Sequence, residues 1–368
     1  MSANMLTRPQ QILFALLKLA LWNKVPDQAL FENSDEALWN NVYHLSSIHG
    51  LGAIALDGIR LLPKELQPPR SVKLRWMIHV NSTESKYEQT LTVANEIAGL
   101  LAENNIQILI FKGLGLAQFY PVPAHRSFGD IDCYLFGKQE EGDRILVKAG
   151  AVEDHNTEKH NALLYKGILI ENHRYFLTED NRYYNLPVLE DQLMKTIANG
   201  NFLNNPLVNK ALFPPPGFDI LFILCHTYGH YIMDGLFLRH LCDWAVFLKA
   251  NKGKIDFEAY RQIIARSNLT KFSDAFTALT VKYLDLEPEL APPYGSDPEY
   301  ENRILQESFD PSIRDNFNRL SFLQIVKLKI NRLKSRKWKY EEATGMNYYK
   351  AIIHSIYFHI VHPKSITR

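Results

Sequence analysis

The chain has 368 residues, 46% of them hydrophobic and 22% charged, with 41 Lys and Arg against 40 Asp and Glu for a formal net charge of +1. That length suits two or three domains of about 100–200 residues with a sizeable core, and the composition is that of an ordinary soluble globular protein and not of a disordered chain. The near-zero charge predicts no global attraction to nucleic acid. The three cysteines, Cys133, Cys225 and Cys242, have no paired spacing, so they signal neither a disulfide framework nor a zinc site and fit a reduced, cytoplasmic compartment.

The first apolar run, Ile12 to Trp22, is interrupted by Lys18 and followed by no small-residue cleavage site. It falls short of the roughly 20 residues that a bilayer-spanning helix needs. Ile12, Leu16, Leu19 and Trp22 recur at helical spacing, which predicts an amphipathic helix facing a core. No other run reaches membrane-spanning length. Short helices are expected around Ala37 to Leu45 and from Ala53 to Leu61, with Pro63, Pro68 and Pro69 punctuating the exit. Residues 1–80 carry no catalytic constellation and are expected to form an N-terminal helical region, one wall of a binding site.

A long helix is expected from Asn81, which stands at capping-box spacing from Glu84. Its apolar face is Tyr87, Leu91, Ala94, Ala98 and Leu101, and it stops at Asn104-Asn105. Ile106 to Phe111 reads as a buried strand, Lys112-Gly113 as a junction, and Leu114 to Tyr120 as a short helix. A strand–glycine–helix junction leaves unpaired N–H groups and a positive dipole end that suit a phosphate, and Lys112 adds a point charge. The prolines of Pro121-Val122-Pro123-Ala124-His125 stiffen the loop that follows.

The next stretch, Arg126-Ser127-Phe128-Gly129-Asp130-Ile131-Asp132-Cys133, alternates apolar and acidic residues. In a strand, residues i and i+2 share a face, so the carboxylates of Asp130 and Asp132 would project side by side. Like charges held that close call for a cation, and hard, oxygen-preferring Mg²⁺ fits best. A helix is expected over Gly142 to Gly150. His155, Glu158 and His160 match no standard zinc spacing and are read as polar loop, with His160 near enough to the following hairpin to reach a nucleotide. Leu163 to Tyr165 and Gly167 to His173 read as two strands joined at Lys166-Gly167. Glu171, in the second, would bring a third carboxylate to the same edge. The helix–strand order predicts an α/β (α+β) fold, a mixed sheet covered by helices.

Taken together, Lys112-Gly113, a helix ending in Tyr120-Pro121, Arg126-x-x-Gly129-Asp130-Ile131-Asp132 and the strand Ile170-Glu171-Asn172-His173 resemble the uncharacterised nucleotidyltransferase family of the DNA polymerase β-like nucleotidyltransferase superfamily. The match is clearest over residues 100–190. The resemblance implies a nucleotidyltransferase-type sheet and a two-metal site for Mg²⁺ or Mn²⁺. Asp130 and Asp132 correspond to the metal-binding pair, and Glu171 to the third carboxylate, where Asp is commoner. Lys112, Gly113, Arg126 and Gly129 are expected to contact the nucleotide. Lys112-Gly113 stands where many superfamily members carry Gly-Ser or Gly-Gly. Two readings of Arg126 stand side by side, phosphate positioning or a surface pair with Asp130, and two of His173, a catalytic group or a hydrogen-bonded core residue.

Beyond the sheet, Pro187 to Pro216 reads as a linker with one short helix around Glu190 to Ile197, and Pro214-Pro215-Pro216-Gly217 as a boundary. Phe218 to Ala250 is strongly helical. His226 and His230 share a helix face at i, i+4, but Thr227 stands where a zinc protease has Glu, so a metal site there is disfavoured. Arg239 and Asp243 are read either as a helix-surface pair or as part of a wall facing the nucleotide or acceptor. Further helix is expected over Asp256 to Leu284, and a Pro-rich connector over Glu287 to Pro298. The basic run from Phe322 to Tyr340 reads as a solvated helix face, or as a contact for nucleic acid, an anionic membrane surface or an acidic partner. Tyr348 to Val361 is apolar and expected to pack.

These observations predict a nucleotidyltransferase core over 81–190, a helical domain over 191–290 and a basic helical tail over 291–368. The expected partners are an NTP and an acceptor left open among a sugar, another metabolite, a peptide and a protein. The alternatives are a catalytically silent nucleotide-binding scaffold and a nucleic-acid-directed transferase, the second opposed by the neutral charge. Oligomeric state is not legible.

Overall fold

Four helices precede the sheet: α1 (Arg8–Trp22), α2 (Glu36–Ile48), α3 (Gly52–Leu61) and α4 (Arg70–Glu103). They are seen in a computed structural model that describes residues 6–157, 159–177, 186–204, 207–233 and 235–310, together with isolated positions between 321 and 353. Ile12, Leu13, Leu16 and Leu17 of α1 are fully buried, as the helical spacing of the apolar residues requires. Asp35 caps α2 by accepting the Leu38 N–H at 2.8 Å.

The expected start of the long helix at Asn81 is overturned. α4 begins at Arg70, directly after Pro69, and Asn81 is an exposed position inside it. Val72, Trp76 and Val80 are buried at i, i+4 and i+8, so the first half of the helix has its own apolar stripe. The Trp76 indole N–H donates to the Gly52 carbonyl at 2.6 Å and ties that half to α3.

The sheet has seven strands: β1 (Ile108–Phe111), β2 (Asp130–Tyr134), β3 (Val152–Asn156), β4 (His160–Tyr165), β5 (Ile168–His173), β6 (Leu203–Asn204) and β7 (Ala211–Phe213). Their order is β3-β4-β5-β2-β1-β7-β6. It is a mixed sheet, parallel at β2–β5 and β1–β7 and antiparallel elsewhere. The fold is of the expected kind, an α+β nucleotidyltransferase-like sheet flanked by helices.

Two expected loops prove to be strands. His155 lies in β3 and His160 in β4, paired antiparallel, while Glu158 lies outside the described residues. β3 is an edge strand exposed along most of its length, so it lacks the alternation that marks a half-buried strand. The expected linker over 187–216 contributes β6 and β7, the latter extending the sheet beside β1. A three-residue strand next to prolines is too short to show a period.

The remaining helices are α5 (Gly113–Ala117), α6 (Gln139–Lys148), α7 (Leu186–Ala198), α8 (Pro216–Met233), α9 (Leu238–Ala250), α10 (Phe257–Arg266), α11 (Thr270–Leu284) and α12 (Pro298–Ser308). α6 starts three residues before the expected Gly142, α5 is shorter than expected, and α12 falls within the expected helical tail.

Side chains on the two sheet faces enter different cores. Ile108, Ile110, Ile131, Cys133, Leu163 and Ile170 pack with Ile97, Ala98 and Leu101 of α4. Leu109, Phe111 and Tyr134 join the larger cluster that contains α1, α3, α8, α9 and α11. The Phe111 ring meets Phe222 of α8 edge-on with centroids 5.1 Å apart. The second face, roofed by α8, is the face of Asp130 and Asp132.

Among the described residues no helix is long and apolar enough to cross a membrane. Of the basic run, Lys327, Lys334 and Lys337 are exposed. Lys339 departs from the solvated reading: it is buried, donates to the Tyr231 carbonyl at 2.6 Å and pairs with Glu307. Most of the expected apolar segment from Tyr348 to Val361 lies outside the described residues.

Candidate active site

Asp132 sits in the middle of three adjacent strands, level with Phe111 of β1 and with Glu171 of β5. Because β2 and β5 run parallel in that register, Glu171 projects from the same face as Asp132, with Asp130 two residues along. Oxygens of the three carboxylates can lie within 4.8 Å of one another. The sequence-predicted acidic trio is therefore brought together.

A cation stands among them. The Lys112 ammonium lies 3.1 Å from Asp132 Oδ1 and 3.7 Å from Asp130 Oδ2. Burial alone would lower the Lys112 pKa, but the charges of Asp132, Asp130 and Glu171 outweigh it and raise it. Burial likewise pushes Asp132 up, and Lys112 together with the hydrogen bond to His173 overcomes that, holding its carboxyl well below the usual range. Asp130 moves the other way, raised first by the charge of Asp132 and then by burial. The asymmetry follows from place. Asp132 is almost wholly buried between the Lys112 ammonium and the His173 imidazole, whereas Asp130 takes the like-charge repulsion.

Lys112 has φ +59° and ψ −118°, a backbone conformation costly for a residue with a Cβ. It occupies the position where many members of the wider superfamily are expected to carry glycine. The strain turns the chain from β1 into α5 and brings the ammonium back over the strand ends.

On the other side, His173 is anchored by its Nδ1–H, which donates to the Tyr175 carbonyl at 3.0 Å. Its Nε2 lies 3.1 Å from Asp132 Oδ1 and 3.6 Å from Glu171 Oε2. His160 Nε2 stands 3.8 Å from Glu171 Oε1. Burial pulls the His160 pKa down to about 4 despite the Glu171 charge. Glu171 is raised by burial but lowered on balance by the hydrogen bond to His173. His173 thus answers to the core reading weighed for it from sequence. It is a hydrogen-bonded core residue, and it touches two of the three carboxylates.

The carboxylates fit a divalent cation. Asp132 Oδ2 is buried and has no hydrogen-bond partner among the described residues, an arrangement that costs free energy unless a ligand meets it. The donor set is all oxygen and negatively charged, which suits Mg²⁺ or Mn²⁺.

Asp130 and Lys112 open into a cavity of about 430 Å³, within the range of small-molecule sites of roughly 300–1,000 Å³. Gly113, Arg126 and Gly129 line the same cavity, so every nucleotide-contacting residue expected from sequence borders it. A Cβ at Gly113 would meet the Asp130 carbonyl and the Phe128 ring at 3.4 Å, whereas one at Gly129 would meet nothing within 4 Å.

The surface pair of Arg126 with Asp130 does not form. Arg126 is buried and grips Asp243 of α9 in a bidentate pair, with Nε and Nη2 each 2.9 Å from a carboxylate oxygen. The Tyr120 hydroxyl donates to the same carboxylate at 2.8 Å, and Arg126 Nη1 donates to the Gly113 carbonyl at 3.3 Å. The expected helix-surface pair of Arg239 with Asp243 is replaced accordingly, and Arg239 donates instead to the Ser127 carbonyl at 3.1 Å. Bidentate geometry favours Arg126, which approaches Asp243 from across the interface.

Two contributors escaped the sequence reading. Lys159 lies close enough to feel Asp132, Glu171 and Asp130, and its pKa is lowered, first by burial and then by Lys112. His240 joins the cavity wall beside His226 and His230. Neither stands at a recognisable spacing from the residues it joins, so only folding brings them there.

A sequence model of a family described as "Uncharacterised nucleotidyltransferase" matches residues 35–285, more than half of the chain. The chain belongs to that family. No curated protein and no solved structure matches it.

Proposed function

We propose that this member of the uncharacterised nucleotidyltransferase family moves a nucleoside monophosphate from an NTP to an acceptor nucleophile in a divalent-metal-dependent reaction that releases pyrophosphate. The observation that carries this reading is the convergence of Asp130, Asp132 and Glu171 on one sheet face, with a buried, unpartnered oxygen on Asp132. Asp130 and Asp132 would hold Mg²⁺ or Mn²⁺, with Glu171 as the third ligand. Such an ion, when bound, supplies Lewis acidity to phosphoryl oxygens and lowers the pKa of a coordinated hydroxyl.

The residues of the chain do the rest. Lys112 and Lys159 offer ammonium groups to the phosphates, and Arg239 adds positive charge to the cavity wall, while Arg126, neutralised by Asp243, positions the loop beside it. Asp243 fixes the Arg126 guanidinium, so the loop from Ser127 to Gly129 is held at one distance from the carboxylates. Glu171, kept ionised beside His173, is placed to accept the acceptor's proton when it does not hold the metal. α8 roofs the site and limits access of water. The acceptor class remains a sugar, another metabolite, a peptide or a protein.

The second reading, a silent nucleotide-binding scaffold, is favoured by one observation. The Lys112 ammonium already supplies a cation to the carboxylates. Incubation with Mg²⁺ or Mn²⁺, each α-labelled NTP and a cell extract as acceptor pool separates the two. The expected result is label transfer by the parent chain and none by the Asp130→Asn/Asp132→Asn variant. Metal-dependent NTP binding without transfer would support the scaffold, and transfer unchanged in the variant would overturn both readings.

A further inference from the structure

Three histidines on the cavity wall have no part in the reaction described above. His226 and His230 stand one turn apart on α8, and His240 enters from α9; all three line the cavity that Asp130 and Lys112 also border. One ring nitrogen from each can lie within 4.8 Å of the others. The rings are packed together, with centroids 4.6 Å apart for His226 and His230 and 5.2 Å for His230 and His240.

His240 supplies the independent sign of a ligand. It is 3% exposed, and neither Nδ1 nor Nε2 has a hydrogen-bond partner among the described residues. Burying an imidazole with both nitrogens unmade costs free energy that a phenyl ring would not, and the surrounding wall uses Phe222 and Phe237 freely.

We infer that His226, His230 and His240 form a second metal site, distinct from the carboxylate centre, for a borderline transition-metal ion of the Zn²⁺ class. Three imidazoles select such ions over Mg²⁺, which prefers oxygen. A tetrahedral zinc with Zn–N bonds of about 2.0–2.1 Å sets its nitrogens about 3.4 Å apart, so small ring rotations close the triad. Three protein ligands leave a fourth position for water or a substrate oxygen, the pattern of catalytic and not structural zinc. On the transferase reading, that position would receive an oxygen of the acceptor, since the carboxylate centre takes the triphosphate.

The test is metal binding, independent of turnover. Chelator-treated protein is titrated with Zn²⁺ or Co²⁺ in excess Mg²⁺, with stoichiometry read by elemental analysis and the site by Co²⁺ visible absorption. The parent and the Asp130→Asn/Asp132→Asn variant should each bind one equivalent, with the intense absorption of a low-coordinate, nitrogen-ligated ion. His226→Gln and His240→Gln should weaken binding more than about 100-fold, beyond the 10–100-fold of an outer-shell change.

Less than one equivalent in the parent, unchanged affinity in the histidine variants, or loss of the ion in the aspartate variant would overturn the assignment. Circular dichroism of the metal-free chains checks folding. If His240→Gln does not fold, the half-buried His226 and the parent stoichiometry still decide. A chain that transfers label without binding Zn²⁺ or Co²⁺ overturns this site alone, and one that binds the ion without transferring label overturns the transferase reading alone.

Discussion

At Lys112 one residue carries two conflicting demands. Its backbone adopts a conformation natural to glycine, and its side chain supplies the positive charge that lets Asp132 remain ionised in the interior. The two demands can be separated by substitution. Lys112→Gly relieves the backbone and Lys112→Ala does not, so the glycine variant should be the more stable by about 1–2 kcal/mol in chemical denaturation. Both variants leave three carboxylates without their ammonium. Mg²⁺ should therefore raise the melting temperature of either variant more than that of the parent. Equal stability of the two variants would show that the backbone at this position is unstrained, and an equal response to Mg²⁺ in the parent would show that Lys112 is not the ion's substitute.

Elements are held around the site by contacts that local sequence does not advertise. The turn Pro123–His125, just before Arg126, is clamped by His125, whose Nδ1 lies 2.5 Å from Asp57 of α3 and whose Nε2 lies 2.9 Å from Glu84 of α4. Burial lowers the His125 pKa, but the hydrogen bonds to Asp57 and Glu84 outweigh it and raise the value above 6.5. A folded-state pKa raised above the unfolded value gives stability that is fully present below about pH 6.5 and lost as pH rises through the folded pKa. His125→Gln should thus cost about 1–3 kcal/mol near pH 6 and much less near pH 9, read from the melting temperatures of parent and variant. A gap independent of pH would exclude a charged clamp. The close packing of α1 on α3 makes a second prediction at this scale. A Cβ at Gly58 would meet the Leu16 carbonyl at 2.3 Å, backbone that cannot rotate away. Gly58→Ala should destabilise by about 1–3 kcal/mol despite the better helix propensity of alanine, and a stabilised variant would mean that the two helices are free to separate.

Over the whole molecule a single apolar cluster links the first helix to the last ones. Ile12 and Leu16 share it with Phe222, Trp244, Phe276 and Ile304, and the Trp22 indole donates to the Leu284 carbonyl at 2.7 Å. Trp39, Trp76 and Trp244 are fully buried within it. Fluorescence of these tryptophans and far-UV circular dichroism should therefore report one coincident unfolding transition in denaturant. Two separated transitions would show that the N-terminal helices melt independently of α8 to α11. The same cluster sets α8 and α9 over the Asp130–Asp132 face, so the carboxylate edge of the sheet and the histidine wall depend on one packing event.

Much of the site was legible because it is local. Alternation in Asp130-Ile131-Asp132-Cys133 fixes which face both carboxylates share, and the hydrophobic run around Glu171 marks its strand, since the period of a strand is a property of the chain itself. The apolar stripe of α1 was readable for the same reason. The start of α4 was not, because the Asn81–Glu84 spacing imitates a cap and Trp76 makes the preceding turns helical only through what it packs against. β3 and β7 carry no period and exist because a neighbouring strand meets their hydrogen-bonding groups. Arg126 chose Asp243, 117 residues away in sequence, over the nearby Asp130, because a buried bidentate pair needs geometry that only the assembled interface provides. Sequence by itself therefore determined which residues carry the acidic chemistry and the sheet that presents it. Tertiary structure alone decided the partners of each charge and the meeting of three histidines from two helices, because interactions between distant residues have no signature in local spacing.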